Sequence, residues 1–225
     1  MIKSKSDYKY YLEADRIAKG YPKNPSIKER VVMMIFPDHV RKFQVLLRKL
    51  EYSINCKKGF YAKVTRVFLY KKISRLSLRL GFTIPPNVFG PGLSIAHYGT
   101  LLVSVGARVG ANCRLHTGVS IATEAGHAIK APTIGKNCYI GPGVKFYGDI
   151  TLADGIVIGA NAVVNKSFLE PNIAIAGVPA KKIGNFDSTE ILIAATDLLE
   201  SGYDLEELSG LTTKQIKEKI SKMGE

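Results

Sequence analysis

The segment TIGKNCYIGPGVKFYGDITLADGIVIGANAVVNK, residues 133–166, sets an aliphatic or aromatic side chain at every sixth position: Ile134, Ile140, Phe146, Leu152, Ile158 and Val164. A period of six is neither the 3.6 of a helix nor the 2 of a plain strand, so the segment reads as a structural repeat. The same grammar runs upstream. FGPGLS begins at Phe89 and IAHYGT at Ile95; after two further residues come VSVGAR at Val103, VGANCR at Val109 and LHTGVS at Leu115. Ile121 opens another unit, and the phase then breaks between Ala122 and Pro132 before resuming at Ile134.

Each hexad supplies one short strand and one turn. Its first residue points inward, and so does the residue four places later; a Gly or Ala next to the first permits the turn. Cys113, Val119, Cys138, Val144, Ile150, Ile156, Ala162 and Phe168 take the second inward place. Three hexads per coil predict a triangular prism of stacked coils, each covering the backbone edge of the next.

The flanks have a different texture. Upstream, Lys, Arg, Leu, Ile and Tyr recur at helical spacing with breaks at residues 20–25, Pro37 and Gly59, which predicts helices over about 7–19, 38–54 and 59–80, and a less distinct one over 26–35. Leu46, Leu47 and Leu50 form an apolar stripe, while Arg41, Lys42, Arg48 and Lys49 read as a solvated face. Downstream, DSTEILIAATDLLESG begins with a helix-capping Asp or Ser, and DLEELSG with TTKQIKEKISKMGE reads as a small amphipathic pair packing on the prism or on a neighbouring subunit. The expected organisation is an N-terminal helical region (1–80), a mainly β prism (81–184) and a C-terminal helical tail (185–225).

With 225 residues the chain is long enough for one sizeable core. It has no run of eighteen apolar residues and no apolar signal core at MIKSKSDYKYY, so a soluble cytoplasmic protein is expected. Cys56, Cys113 and Cys138 are odd in number and lack CxxC spacing, which argues against a disulfide framework and a zinc site; no metal is expected. The net charge of +13 suits nucleic acid, an acidic membrane or phosphorylated small molecules. Nucleic acid is not expected, because no recognition-helix signature or aromatic-interleaved basic patch accompanies the charge.

The hexads resemble those of the hexapeptide-repeat acyltransferases, and GVPAKKIG, residues 177–184, resembles the signature that closes the prism in that family. The likeness covers about residues 57–184 and is nearest to serine acetyltransferases and to related acetyltransferases of capsule and surface-polysaccharide clusters. It implies a left-handed parallel β-helix, a homotrimer with active sites between subunits, and acetyl-CoA as co-substrate. DYKYYLEADRIA and KFQVLLRKLEY look more like the polysaccharide relatives.

Transfer of an acetyl group from a thioester to a hydroxyl needs a base, because an alcohol is a poor nucleophile at neutral pH; histidine, with an ordinary pKa of about 6.5, suits the task. Of the four histidines, His39 lies at an expected helix start and reads as structural or solvated. His97, in GPGLSIAHYGT, falls where the resemblance implies the catalytic histidine, and as the third residue of its hexad it should project from a prism corner. His116 should lie one coil above and diagonal to it, there to tune His97, to bind acceptor, or only to occupy a turn. In the phase break ATEAGHAIKAP, Glu124, His127 and Lys130 are candidate acceptor contacts or ordinary loop-tip residues. By position in the resemblance, Gly141, Gly143, Ala160 and Asn161 would follow the pantetheine arm while Lys166, Lys181 and Lys182 face the phosphates; they equally suit ordinary turns and solvated lysines.

Several positions depart from the serine enzymes. Ala96 replaces the acid before the catalytic histidine, Lys130 and Ala131 replace an Arg-His pair, and Thr83 stands where an acid would orient the histidine. The final KMGE also lacks their terminal isoleucine. The expectation is therefore an acetyl-CoA-dependent O-acetyltransferase acting on a surface-polysaccharide sugar or its precursor, lipid-linked forms included. The alternatives are a serine O-acetyltransferase of cysteine biosynthesis and a non-catalytic β-helix binding or scaffold module.

Overall fold

Ile95, Leu115, Ile140, Ile158 and Ile175 form a single column in the computed structural model, each the parallel register partner of the next and each fully buried. The structure describes residues 1–127, 129–202 and 215. From Ile140 to Ile158 the chain runs through three hexads, one complete coil.

The strands are two to five residues long: β1 Phe82–Thr83, β2 Ser94–Ile95, β3 Leu101–Val103, β4 Arg108–Val109, β5 Arg114–Leu115, β6 Ser120–Ala122, β7 Thr133–Ile134, β8 Tyr139–Ile140, β9 Lys145–Tyr147, β10 Thr151–Leu152, β11 Val157–Ile158, β12 Val163–Val164, β13 Ile173–Ala176 and β14 Lys181–Asn185. They fall into three sheets, ordered β1-β3-β6-β9-β12, β10-β7-β4 and β14-β13-β11-β8-β5-β2. Successive strands rotate among the three sheets, which gives a three-walled β-helix. Pairing is parallel except between β13 and β14, where the segment 177–184 turns the chain back on the last coil.

The six-residue grammar is reproduced in the burial. Ile134, Ile140, Phe146, Leu152, Ile158 and Val164 are all inside, as are Cys113, Val119, Cys138, Val144, Ile150, Ile156 and Ala162. Phe168 departs from the expectation: it is half-buried, packed against the core edge and bridged to Leu152, because the prism runs out of coil above it.

Four helices precede the prism: α1 Lys5–Ala18, α2 Ile27–Ile35, α3 His39–Cys56 and α4 Phe60–Leu80. Side-chain caps start the first three. Ser4 accepts from Asp7 N–H, Ser26 and Glu29 close a capping box, and Asp38 accepts from Arg41 N–H. Gly81, at φ 78°, stops α4 in the left-handed conformation and hands the chain to β1. Phe43, Leu47 and Leu50 of α3 join Leu69, Ile73 and Leu76 of α4 in one apolar core continuous with the prism, and Phe43 meets Phe82 edge-on at 5.2 Å. Burying each such side chain contributes roughly 1.5–3 kcal/mol, so the helices lean on the prism far more than on their own propensity.

Arg48 corrects the reading of a solvated basic face on α3. Its guanidinium is fully buried, paired with Asp15 at 2.8 Å and Glu51 at 3.0 Å, and donates to the carbonyls of Phe89 at 2.9 Å and Gly90 at 2.6 Å. Asp15 also accepts from Leu93 N–H and Glu51 from Asn87 N–H, so one polar cluster bolts α1 and α3 to the first coil. Its neighbours Lys42 and Lys49 are exposed, as read.

After β14, a 3-10 turn at Ser188–Glu190 leads to α5, Ala195–Glu200. Ala195 and Leu198 pack on Ala14, Ile17 and Ala18 of α1, and Thr196 exchanges hydrogen bonds with Asn112 at a prism corner. The expected amphipathic pair over residues 204–225 lies outside the described residues, Gln215 aside. Among the described residues, no helix is long and apolar enough to cross a membrane.

Candidate functional site

The chain leaves the β2 sheet for the β3 sheet four times, after β2, β5, β8 and β11, and these exits stack into one corner of the prism. His97 occupies the first exit, His116 and Thr117 the second, Gly141 to Gly143 the third, and Ala160 and Asn161 the fourth. The corner stacks closely because glycine removes a Cβ: one added at Gly141 would come within 2.6 Å of the Ile158 carbonyl, and one at Gly143, where φ is 75°, within 2.0 Å of Asn161 Oδ1. Four of the seven residues expected along the coenzyme therefore share the corner with His97, and two of these four are glycines that packing itself demands.

His97 is exposed, and the backbone holds its turn on both sides. Ala96 N–H donates to Leu115 in the coil above at 2.9 Å, while Gly99 N–H donates to Leu80 at 2.9 Å and Leu101 N–H to Gly81 at 3.0 Å. Lys19, at the end of α1, donates from Nζ to the Ile95 carbonyl at 2.7 Å, two residues before the histidine. The Ile95–Leu115 register puts His116 diagonally above His97 as expected, with ring centroids 6.4 Å apart. No carboxylate of the described residues lies within 4.0 Å of His97. Thr83 is an exposed residue of β1 paired with Leu102.

Arg114 and His116 flank the inward Leu115 on one strand, so both face outward. Arg114 is in register between Ser94 and Tyr139, and the His116 ring lies 5.0 Å from that of Tyr139. Half-burial depresses the pKa of His116, and the charges of Arg114 and His97 depress it further. His116 Nε2 and Arg114 Nε are both shielded from solvent without a hydrogen-bond partner among the described residues. Burial also lowers the pKa of Lys19; Asp38 opposes this and Arg114 adds to it.

The remaining candidates sit elsewhere. The 122–132 break leaves after β6, at the corner between the β3 and β4 sheets, one wall away from His97 in the same chain. Within it Lys130 pairs with Glu124 at 3.2 Å, His127 N–H donates to the Glu124 carbonyl, and Tyr147 OH accepts from Ala125 N–H. Lys166 follows β12 on that second corner, with Nζ 5.4 Å from the Phe168 ring. Lys181 and Lys182 begin β14 at the sheet edge, where Lys182 is paired with Glu170 at 2.7 Å. One chain thus does not gather Glu124, His127, Lys130, Lys166, Lys181 and Lys182 around His97. His39 is the first residue of α3, directly after its N-cap Asp38.

Sequence reasoning missed Arg114 and Lys19. Strand alternation around Leu115 would have revealed Arg114, since residues i and i+2 share a face. No local signal marks Lys19, which a helix delivers from 76 residues away.

The coil rotates through three walls with a six-residue period and carries a histidine on its corner, and residues 131–166 match the family described as bacterial transferase hexapeptide (six repeats). Among curated proteins, the serine acetyltransferase of Mycobacterium tuberculosis (strain ATCC 25618 / H37Rv) is 34% identical over 101 residues, 44% of this chain and 44% of that protein. The chain spans less than half the length of that relative. Among solved structures, the serine acetyltransferase of Brucella abortus strain S19 superposes with a TM-score of 0.62 at 27% identity, covering 81% of this chain and 71% of that one. The same enzyme in complex with coenzyme A gives 0.59 at 25% identity, covering 80% and 68%. The chain carries this repeat over residues 131–166 and is similar to serine acetyltransferases. A glycan acceptor, expected from the sequence, finds no support among these relatives.

Proposed function

We propose that the chain is an acetyl-CoA-dependent O-acetyltransferase with His97 as its general base. The observation that carries this is His97 itself, exposed and braced on a β-helix corner whose higher coils supply Gly141, Gly143, Ala160 and Asn161, in a chain similar to acetyltransferases that include a coenzyme A complex. His97 takes the proton of the acceptor hydroxyl as its oxygen attacks the thioester carbonyl carbon. The tetrahedral intermediate then collapses, the carbon–sulfur bond breaks, and His97 returns the proton to the leaving sulfur of CoA. His116, whose protonated form is disfavoured by burial and by the charges of Arg114 and His97, is read as a positioning residue for His97.

The coil is read as left-handed and the assembly as a homotrimer. A three-fold arrangement would let the 122–132 loop and the Lys166 corner of one copy face the His97 corner of the next, the route by which Glu124, His127, Lys130 and the phosphate-facing lysines could reach one site. Residues 81–184 would form the catalytic unit, framed by the helices on either side.

Serine is the acceptor that the named relatives favour. A sugar hydroxyl is the second reading and rests on one observation: Ala96 precedes His97 and no described carboxylate lies within 4.0 Å of it to receive the ammonium of an amino acid. Release of CoA thiol from acetyl-CoA, with L-serine and with a panel of sugars offered separately, decides between them. Turnover on serine selects the first and turnover on sugars alone the second. No thiol release with any acceptor, and no binding of acetyl-CoA, would leave a binding or scaffold module.

A further inference from the structure

We propose that Arg114 and Lys19 form an anion subsite beside His97 that takes a carboxylate or phosphate group of the acceptor. The proposal rests on the reading of His97 as the base and assigns the acceptor's chemical class.

Arg114 points outward from β5, two residues before His116, within the wall made by Ser94, Arg114 and Tyr139. Its Nε is shielded from water and has no partner among the described residues, although guanidinium N–H groups so placed are nearly always satisfied. Lys19 arrives from α1 onto the carbonyl of Ile95, the register partner of Leu115, so its ammonium lies against the strand next to Arg114. An ammonium has three donors, and among the described residues the Lys19 side chain makes this one hydrogen bond. Neither cation has a described carboxylate within 4.0 Å. Asp38, the acid that Lys19 senses, already accepts from Tyr21 OH and from Arg41 N–H.

The electrostatics agree with this geometry. The charge of Arg114 disfavours the protonated forms of both Lys19 and His116. Partly desolvated neighbouring cations disfavour one another, and an oxyanion held by both would relieve the repulsion and fill the open donors. Such an anion, held one coil above His97, would anchor an acceptor while its hydroxyl reached the imidazole. The coenzyme's phosphates are expected elsewhere, at Lys166 on the second corner and at Lys181 and Lys182 on the β14 edge.

Ligand-detected NMR titration of the 225-residue chain, which requires no turnover, tests the subsite with matched probes: D-glucuronate and D-glucose 1-phosphate against D-glucose, and L-serine against L-serinamide. The acidic members should bind about tenfold or more tightly than the neutral ones, in keeping with charge-assisted hydrogen bonds. Arg114→Gln and Lys19→Gln should each erase most of that preference while leaving coenzyme A affinity unchanged, and Arg114→Lys should keep part of it. The carboxylate and phosphate arms identify which anion is preferred. Equal binding of acidic and neutral probes by the wild type, or an unaltered preference in folded Arg114→Gln protein, would overturn the subsite. If Arg114→Gln fails to fold, Lys19→Gln carries the same comparison. Acid-selective binding that depends on Arg114, without thiol release, would sink the acetyltransferase reading and keep the subsite; thiol release with an unaltered preference would do the reverse.

Discussion

His116 is where burial and charge meet most plainly. Partial burial, Arg114 and His97 all disfavour its protonated form, so its folded pKa lies below the ordinary value of about 6.5. Below pH 6.5 the unfolded chain takes up a proton that the folded one resists; stability therefore falls as pH drops through that window and is retained above it. Urea unfolding at pH 7.5 and at pH 5.5 checks this: the wild type should lose more stability over the interval than His116→Gln, and equal losses would contradict it. Much of this site could be read in advance, because the hexad grammar alone places His97 on a corner and His116 diagonally above it. Arg114 was equally open to the alternation rule. Lys19 was not, since its position depends on how α1 docks.

The docking of α1 and α3 on the first coil is the element-scale feature that amphipathic patterning could not reveal. Arg48, Lys42 and Lys49 are the same kind of residue in one helix, yet Arg48 is fully buried with two carboxylates and two backbone carbonyls while the other two are exposed. Periodicity finds the apolar stripe of Leu47 and Leu50 and the breaks between helices, but a buried charge is specified by partners far along the chain. Replacing Arg48 by Met strands Asp15 and Glu51 and should cost about 3–5 kcal/mol. Lys49→Met should lie within about 0.5 kcal/mol of the wild type. Denaturant unfolding of the two variants separates these outcomes, and equal effects would contradict the clamp. Asn112, 2% exposed at φ 56° and bonded to Thr196 of α5 and to Asn137, makes a second such joint. Asn112→Ala should lower stability by about 1–3 kcal/mol in the same measurement, and an unchanged midpoint would remove the joint from the account.

At the scale of the whole molecule, a single prism leaves the candidate residues divided between two corners and a sheet edge. The division follows from the fold: hexads rotate through three walls, so the loop inserted after β6 cannot share a corner with a turn that follows β2. A sequence read linearly hides this, because residues that belong to different corners lie close together in number. The proposed trimer resolves it, and light scattering should return three times the 24.6 kDa chain mass; a monomer retaining full activity would show that one corner suffices. His97 is proposed to remove the acceptor's proton. Thiol release from acetyl-CoA by the wild type and by His97→Ala, with oligomeric mass and acetyl-CoA binding checked in both, tests it most directly. Turnover should be lower by about 10²–10⁴-fold in the variant with assembly and coenzyme binding intact, and wild-type turnover in His97→Ala would rule out His97 as the base.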